Sequence, residues 1–346
     1  MNFLKYKNLL GLNSYEAFQY YLIKQFIRPC CQFLLLPLER LFQKRNLSLS
    51  PLMKIKFYFS RIYIDILFFL LINIGFYPRK NKFLYKNKEI IFSLATIEGR
   101  ENSLMYALKS LIMQKTSFNA ILVYLPNSSF NIMKKNKRIF SIFKKNKIHF
   151  FIKDNNLGSH RKYIFNYDYH QKFHMCLVDD DYFYDRWFLT DLIHSSFIND
   201  AKVVSLYNWK ISLKSGNTYP EKRKNWQKKL INSRFKSSDL LTYVDNAYTF
   251  YESKILTKEF FNIKNIKNLC TMKFTGIVGF DDDWIKWNLY KNNIKVAYAR
   301  RWSLTNSITE HIKIQKLNNH AYLSSKYDNT DNVVKRIIDF LEINFY

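Results

Sequence analysis

Two runs of three consecutive aspartates, Asp179-Asp180-Asp181 and Asp281-Asp282-Asp283, carry the most pointed chemistry in this chain. Adjacent carboxylates repel one another and raise each other's pKa unless a cation is shared among them. Hard divalent ions such as Mg²⁺ and Mn²⁺ take oxygen ligands and commonly bridge one or two carboxylates to a phosphate. The first run follows an apolar segment of strand length, Lys172 to Val178. Open α/β sheets bind their ligands at the carboxyl ends of such strands. It reads as a metal–diphosphate site, with a solvated acidic turn as the plainer alternative. The second run precedes a helical pattern through Trp284, Trp287, Leu289 and Tyr290. There a carboxylate could serve as general base toward an attacking hydroxyl, or cap the helix and complement its dipole.

These acids need a frame. The pattern predicts strands at residues 90–96, 120–125, 148–152, 172–178, 203–206 and 294–298. Helical spacing runs over residues 101–114 (Leu104, Ala107, Leu108, Leu111, Ile112), 131–145 and 186–197. Strands alternating with helices predict an α/β fold, a mostly parallel sheet flanked by helices. In a strand ending at the first run, side-chain alternation sends Asp180 to the face opposite Asp179 and Asp181, which makes it a structural residue. Residues 210–236 are polar and basic and read as a surface excursion. Trp209 and Trp226 could form a sugar-stacking platform there, or simply pack. The tail beyond Arg300 reads as helical in pieces.

Composition limits the partners. Lys and Arg number 55 against 27 Asp and Glu, a formal charge of +28 over 346 residues. Such an excess favours nucleic acid, acidic lipid or phosphorylated substrates. The joint abundance of Lys, Asn, Ile, Phe and Tyr is also what an AT-rich genome encodes. Four cysteines (Cys30, Cys31, Cys176, Cys270) show neither metal spacing nor a disulfide framework, which fits a reducing, cytoplasmic compartment. Residues 1–86 form a basic, partly apolar helical region whose only acids are Glu16, Glu39 and Asp65. It has no signal-peptide pattern, and its apolar run at residues 66–72 is too short to span a bilayer, which takes about 20 residues. It suits either an anionic membrane interface or a packed subdomain. The expected division is residues 1–86, a catalytic domain over 87–312, and a helical tail over 313–346.

Four segments in order, FSLATIEGRENSL, DNNLGSHRKY, CLVDDDYFY and GFDDDWIKW, make residues 88–312 resemble GT-A-fold glycosyltransferases. The resemblance is to the large inverting family that includes bacterial polysaccharide transferases. It implies a GT-A-like, Rossmann-like sheet. Asp179 and Asp181 match the first and last acids of that family's DxD motif, which hold Mn²⁺ or Mg²⁺ on a nucleoside-diphosphate sugar, with Asp179 nearer the ribose; a UDP-sugar is the implied donor. Asp282 matches the catalytic base. Thr96 and Arg100 fall in the nucleobase-binding loop, Asp154 contacts base or ribose, and Lys162 matches a lysine near the sugar nucleotide. His311 falls where some members carry a third metal ligand. The implied acceptor is a hydroxyl of a glycan or lipid-linked glycan in surface polysaccharide synthesis, at the inner face of a membrane. One departure is the acceptor-side stretch Asn246 to Glu252, which lacks the glycines common in similar enzymes.

Two rival classes remain. Basic runs at residues 134–147 and 210–236, interleaved with aromatics, could track a nucleic-acid backbone. No nucleic-acid motif accompanies them, and the aspartate runs would repel a polyanion, so nucleic acid is not the expected partner. A catalytically silent scaffold for a glycan assembly would have no need of intact Asp179, Asp181 and Asp282.

Overall fold

The computed structural model describes residues 83–153, 155–206, 209–213, 220, 227–228, 239–244, 246, 248–261, 281–299 and 330–343, with isolated positions between 10 and 21 and between 62 and 70. Most of the N-terminal region expected over residues 1–86 therefore lies outside the described residues, as do Asp154, Trp226 and His311. The described strands are β1 (Ile90–Ala95), β2 (Ala120–Leu125), β3 (Ile148–Ile152), β4 (His174–Val178), β5 (Val203–Ser205), β6 (Trp209–Lys210), β7 (Gln227–Lys228), β8 (Tyr248–Tyr251) and β9 (Val296–Tyr298). Seven of them form one sheet in the order β3-β2-β1-β4-β8-β5-β9, while β6 and β7 make a separate ribbon. The β3-β2-β1-β4 half is parallel throughout, and β5 is parallel to β9. Among the described strands of this sheet only β8 runs antiparallel, to β4 and to β5; the β6–β7 ribbon is antiparallel as well. The α/β class and the mostly parallel sheet are as the alternation predicts.

Both faces of the sheet are covered, which is why its central strands are continuous apolar runs rather than alternating ones. On one face Ile90, Phe92 and Leu94 of β1 pack with Leu104, Leu108 and Leu111 of α1 (Glu101–Ile112). On the other, Ile91 joins Met175 and Leu177 of β4 with Tyr163, Tyr251, Trp284 and Trp287. Full burial of each such side chain contributes about 1.5–3 kcal/mol.

The helix expected at residues 131–145 is two helices, α2 (Asn127–Lys135) and α3 (Lys137–Lys145). Asn136 separates them with non-helical backbone, and its side chain accepts a hydrogen bond from Ile139 N (3.2 Å), capping α3. The segment before β4 is also more helical than expected: α4 (Arg161–Ile164) and α5 (Tyr167–Lys172) follow a short 3₁₀ turn at Asn155–His160. Then α6 (Phe188–Asn199) follows β4, α7 (Asp281–Lys291) precedes β9, and α8 (Thr330–Leu341) packs against α7. Among the described residues no helix is long and apolar enough to cross a membrane.

One buried cation sets the path of the chain after β3. Arg161 is fully buried and donates to three carbonyls: Gly158 O (2.9 Å), Lys153 O (3.1 Å) and Thr96 O (2.6 Å). It thereby ties the 3₁₀ turn to the end of β1. Removing the guanidinium strands the buried Thr96 carbonyl, which costs about 1–3 kcal/mol, and loses two part-buried bonds besides. Arg161→Met should therefore lower the urea midpoint by an amount equivalent to about 3 kcal/mol; an unshifted midpoint would show that the tie is dispensable.

Candidate active site

The first acidic run sits at the carboxyl end of β4. Tyr184 shapes that end: its hydroxyl accepts from Asp179 N (2.7 Å) and donates to Asp179 O (3.1 Å). Beyond this point the three carboxylates diverge. Asp180 is buried, accepting from the Thr96 hydroxyl and from Arg100 Nη1 (3.0 Å). Asp181 Oδ2 lies 3.9 Å from the same Arg100 nitrogen. Asp179 points elsewhere, its Oδ1 accepting from Lys162 Nζ at 2.8 Å. Its side chain is 37% exposed, against 3% for Asp180 and 5% for Asp181. The alternation expected from the sequence, Asp179 and Asp181 on one face and Asp180 on the other, does not hold, because the strand ends at Val178 and residues 180 and 181 lie in a turn: Asp180 and Asp181 are both buried beside Arg100, and Asp179 alone is turned toward Lys162 and solvent.

Arg100 reaches Asp180 because the chain turns sharply after β1. Gly99 adopts φ +83°, a conformation that L side chains rarely adopt. Its N–H donates to Glu101 Oε1 (3.1 Å), which also accepts from Ser129 Oγ of α2 (2.6 Å). Thr96 and Arg100, assigned to nucleobase binding by resemblance, are here bonded to Asp180.

Lys162 is the meeting point of the two acidic runs. Its ammonium, 2% exposed, lies 2.8 Å from Asp179 Oδ1 and 2.9 Å from Asp281 Oδ2. The backbone around it is fixed by a buried polar network: Lys162 O accepts from Ser93 Oγ (2.5 Å) and Asn166 Nδ2 (2.7 Å). Asn166 in turn accepts from the Tyr124 hydroxyl of β2. Burial alone would lower the lysine's pKa, but the negative charges of Asp179, Asp281 and Asp282 outweigh it and hold the pKa well above the ordinary lysine value. Lys162 is a permanent cation.

The second run forms the first turn of α7, where the helix dipole favours carboxylates. Asp281 is enclosed by donors: Ser159 Oγ (2.5 Å), Lys162 Nζ (2.9 Å) and Asn246 Nδ2 (3.2 Å). Asp282 is less buried and accepts from the Asn246 backbone N–H (2.8 Å). Asn246 itself is fully buried and is fixed by the Tyr251 hydroxyl (2.5 Å). Burial pushes the Asp281 pKa up, but Lys162, with His160 and Ser159, brings it down to about 2. For Asp180 burial prevails and the pKa is raised, with Arg100 and Thr96 opposing in part.

Of the residues singled out in the sequence, the fold therefore brings together Thr96, Arg100, Lys162, Asp179, Asp181 and Asp282. Asp154 and His311 lie outside the described residues. Ser159 and Asn246 were not singled out, although both stand in quoted segments; a lone serine or asparagine carries no signal of the carboxylate it will bond.

Hard carboxylate oxygens are the donor type that Mg²⁺ and Mn²⁺ prefer. Among the described residues, no group of three His, Cys, Asp or Glu side chains is arranged to hold a metal ion. Of the first run, Asp179 is the carboxylate exposed enough to share a cation with a bound ligand, while Asp181 is buried near Arg100.

No family model matches the chain, and no curated protein sequence matches it. Among solved structures, S. aureus TarS 1-349 in complex with UDP aligns at 12% identity and a TM-score of 0.39, covering 62% of this chain and 58% of that one. The same TarS fragment with UDP-GlcNAc aligns at 13% identity and a TM-score of 0.38, covering 62% and 56%. A further structure of S. aureus TarS aligns at 14% identity and a TM-score of 0.38, covering 72% and 43%. This chain thus spans less than two thirds of the chains it aligns with. A likeness of this extent assigns no function.

The depressed Asp281 pKa makes a pH prediction. A carboxylate at about 2 in the folded state and about 3.9 when unfolded stabilises the fold above pH ~4. That stability is lost as pH falls toward 2. Its full size is about 2–3 kcal/mol, from ~1.4 kcal/mol per unit, and most of it is lost by pH 2. Wild type should lose about that much more than Asp281→Asn between pH 5 and pH 2 in urea titrations; parallel losses would mean that the Lys162 pair does not persist in solution.

Proposed function

We propose that the chain is a glycosyltransferase that moves a sugar from a nucleoside-diphosphate donor, a UDP-sugar, to a hydroxyl group. Support comes chiefly from one observation: a single buried ammonium, Lys162, bonded to Asp179 of one acidic run and Asp281 of the other. It draws a diphosphate-side carboxylate and a base-bearing helix start to one locus, at the end of a parallel strand where such folds bind ligands. Three of the four segments that resemble GT-A-fold enzymes supply the three groups at that locus, one each.

The charge balance favours a metal-assisted route. Five aspartates, Asp179, Asp180, Asp181, Asp281 and Asp282, stand near Arg100 and Lys162, so an incoming diphosphate meets net negative charge. When bound at Asp179 and Asp181, Mn²⁺ or Mg²⁺ supplies Lewis-acid neutralisation of the departing diphosphate, worth several kcal/mol. Lys162, already fixed, holds Asp179 in place for that contact. Arg100 and Thr96 brace the loop after β1 through Asp180, which orients the nucleotide side of the cleft; Asp154 adds a contact to base or ribose, and His311 a third metal ligand.

Asp282 is the general base. The Asn246 N–H fixes one of its oxygens. It takes the proton of the acceptor hydroxyl as that oxygen attacks the anomeric carbon. The new glycosidic C–O bond forms as the bond to the diphosphate breaks on the opposite face, so configuration inverts. The acceptor is a glycan or lipid-linked glycan of surface polysaccharide synthesis, met at the inner face of the membrane.

Calorimetric titration with UDP, GDP and CMP, with Mn²⁺ or with chelator, tests the donor site. One diphosphate should bind in a metal-dependent way, and Asp181→Ala should abolish that binding; no binding by folded wild type would remove the transferase reading. Asp282→Asn should keep nucleotide binding and lose about 10²–10⁴-fold in transfer rate. Turnover at the wild-type rate would take the base role from Asp282.

A further inference from the structure

A second charged feature lies on the opposite side of the sheet's parallel half. Residues 126–153 contain no Asp or Glu, and Lys134, Lys135, Lys137, Arg138, Lys144 and Lys145 on α2 and α3 are all exposed. On α3 the apolar residues Phe140, Ile142 and Phe143 face inward, while positions 137, 138, 141, 144 and 145 form one outer face at helical spacing. The cations are therefore gathered, not scattered.

Beside this face lies an apolar ridge. The helical positions between 62 and 70 are docked by two contacts. Asp65 accepts from Lys109 Nζ (3.0 Å) and the Tyr106 hydroxyl (3.2 Å) of α1. Phe68 is buried, its ring 6.2 Å from that of Phe143 on α3. That docking turns Ile62, Ile66, Phe69 and Leu70 outward at 53%, 53%, 64% and 39% exposure, on one side of the helical segment. On α2, Ile132 is exposed as well (46%).

We infer that the ridge and the basic outer face of α2 and α3 form one docking surface for an anionic lipid bilayer. The ridge enters the boundary between headgroups and acyl chains, and the six cations rest on anionic headgroups. A nucleic-acid backbone would pair with the cations, but it gains nothing from exposed isoleucines next to them. This surface goes beyond the transferase reading and does not depend on it: it concerns where the chain sits, whatever reaction it performs.

Vesicle co-sedimentation with the full chain tests it, using phosphatidylcholine alone and mixed with phosphatidylglycerol, at low and high salt. Wild type should bind the anionic vesicles only, and bind more weakly at high salt. Combined Lys137→Glu, Arg138→Glu, Lys144→Glu and Lys145→Glu should weaken binding at least about tenfold. Ile62→Ser with Ile66→Ser should weaken it several-fold and leave the remainder more salt-sensitive. A charge-matched control, Lys202→Glu, Lys258→Glu, Lys291→Glu and Lys295→Glu, alters exposed lysines on the other half of the sheet and should stay within about twofold of wild type. Equal loss in the control would show that net charge alone drives adsorption and would overturn the assignment. So would no vesicle binding by wild type, or tight RNA binding that the isoleucine changes leave untouched. Matched melting transitions keep misfolding from counting as a result.

Discussion

A lysine ammonium with almost no contact with water is the constraint on which the rest of this site depends. Removing such a charge from water costs several kcal/mol, and only close, well-directed carboxylates offset it. Lys162 has two, Asp179 and Asp281, from segments far apart in the chain. Either one alone would leave the ammonium under-compensated, so the end of β4 and the start of α7 are held in reach of one nitrogen. That requirement reaches into the core. Ser93 of β1 and Asn166 before α5 fix the lysine's own backbone, and Tyr124 of β2 fixes Asn166. Strands β1 and β2 and the turn before α5 thus carry a buried polar chain that ends on the backbone of the site lysine. A network of this kind is stabilising when every member is satisfied and costly otherwise.

A second cation does separate work on the other face of the same strand end. Arg100 holds Asp180 and lies near Asp181, so the aspartate run is split between two positive charges. This resolves the repulsion that makes three adjacent acids costly. Asp180 still has a raised pKa, because burial outweighs what Arg100 and Thr96 return. The exposed member, Asp179, is left with the solvent-facing position that a ligand can reach.

Local pattern carried a large part of this fold, and the failures have physical reasons. Strands β1, β2 and β3 and helix α1 are legible because continuous apolar runs and 3.6-residue spacing are local properties. The reversed direction of β8 is not, since an apolar strand reads alike in either direction and its orientation is set by pairing with β4 and β5. The break at Asn136 was missed because apolar spacing continues on both sides, and a capping asparagine looks like any polar helix residue. In the site, the two aspartate runs were visible as composition. What joined them was not: resemblance marks Lys162 as a lysine near the sugar nucleotide, but in a lysine-rich chain nothing local shows that it bridges the two runs, and its pairing with Asp281 exists only after the sheet has formed. Arg161, buried on three carbonyls, had no sequence signal at all.

The same contacts divide labour within the second run. Asp281 accepts from a hydroxyl, an ammonium and an amide, and its pKa of about 2 makes it a poor proton acceptor at neutral pH. A base must gain from taking a proton, and a carboxylate already paired this well gains little. Asp283 is buried in the same turn. Asp282 is the member whose side chain is partly open to solvent, and Asn246 aims it with a backbone N–H while its own amide serves Asp281. One asparagine therefore sets the anchor and the candidate base relative to each other. The selection of Asp282 over its neighbours follows from which carboxylate the lysine has already claimed.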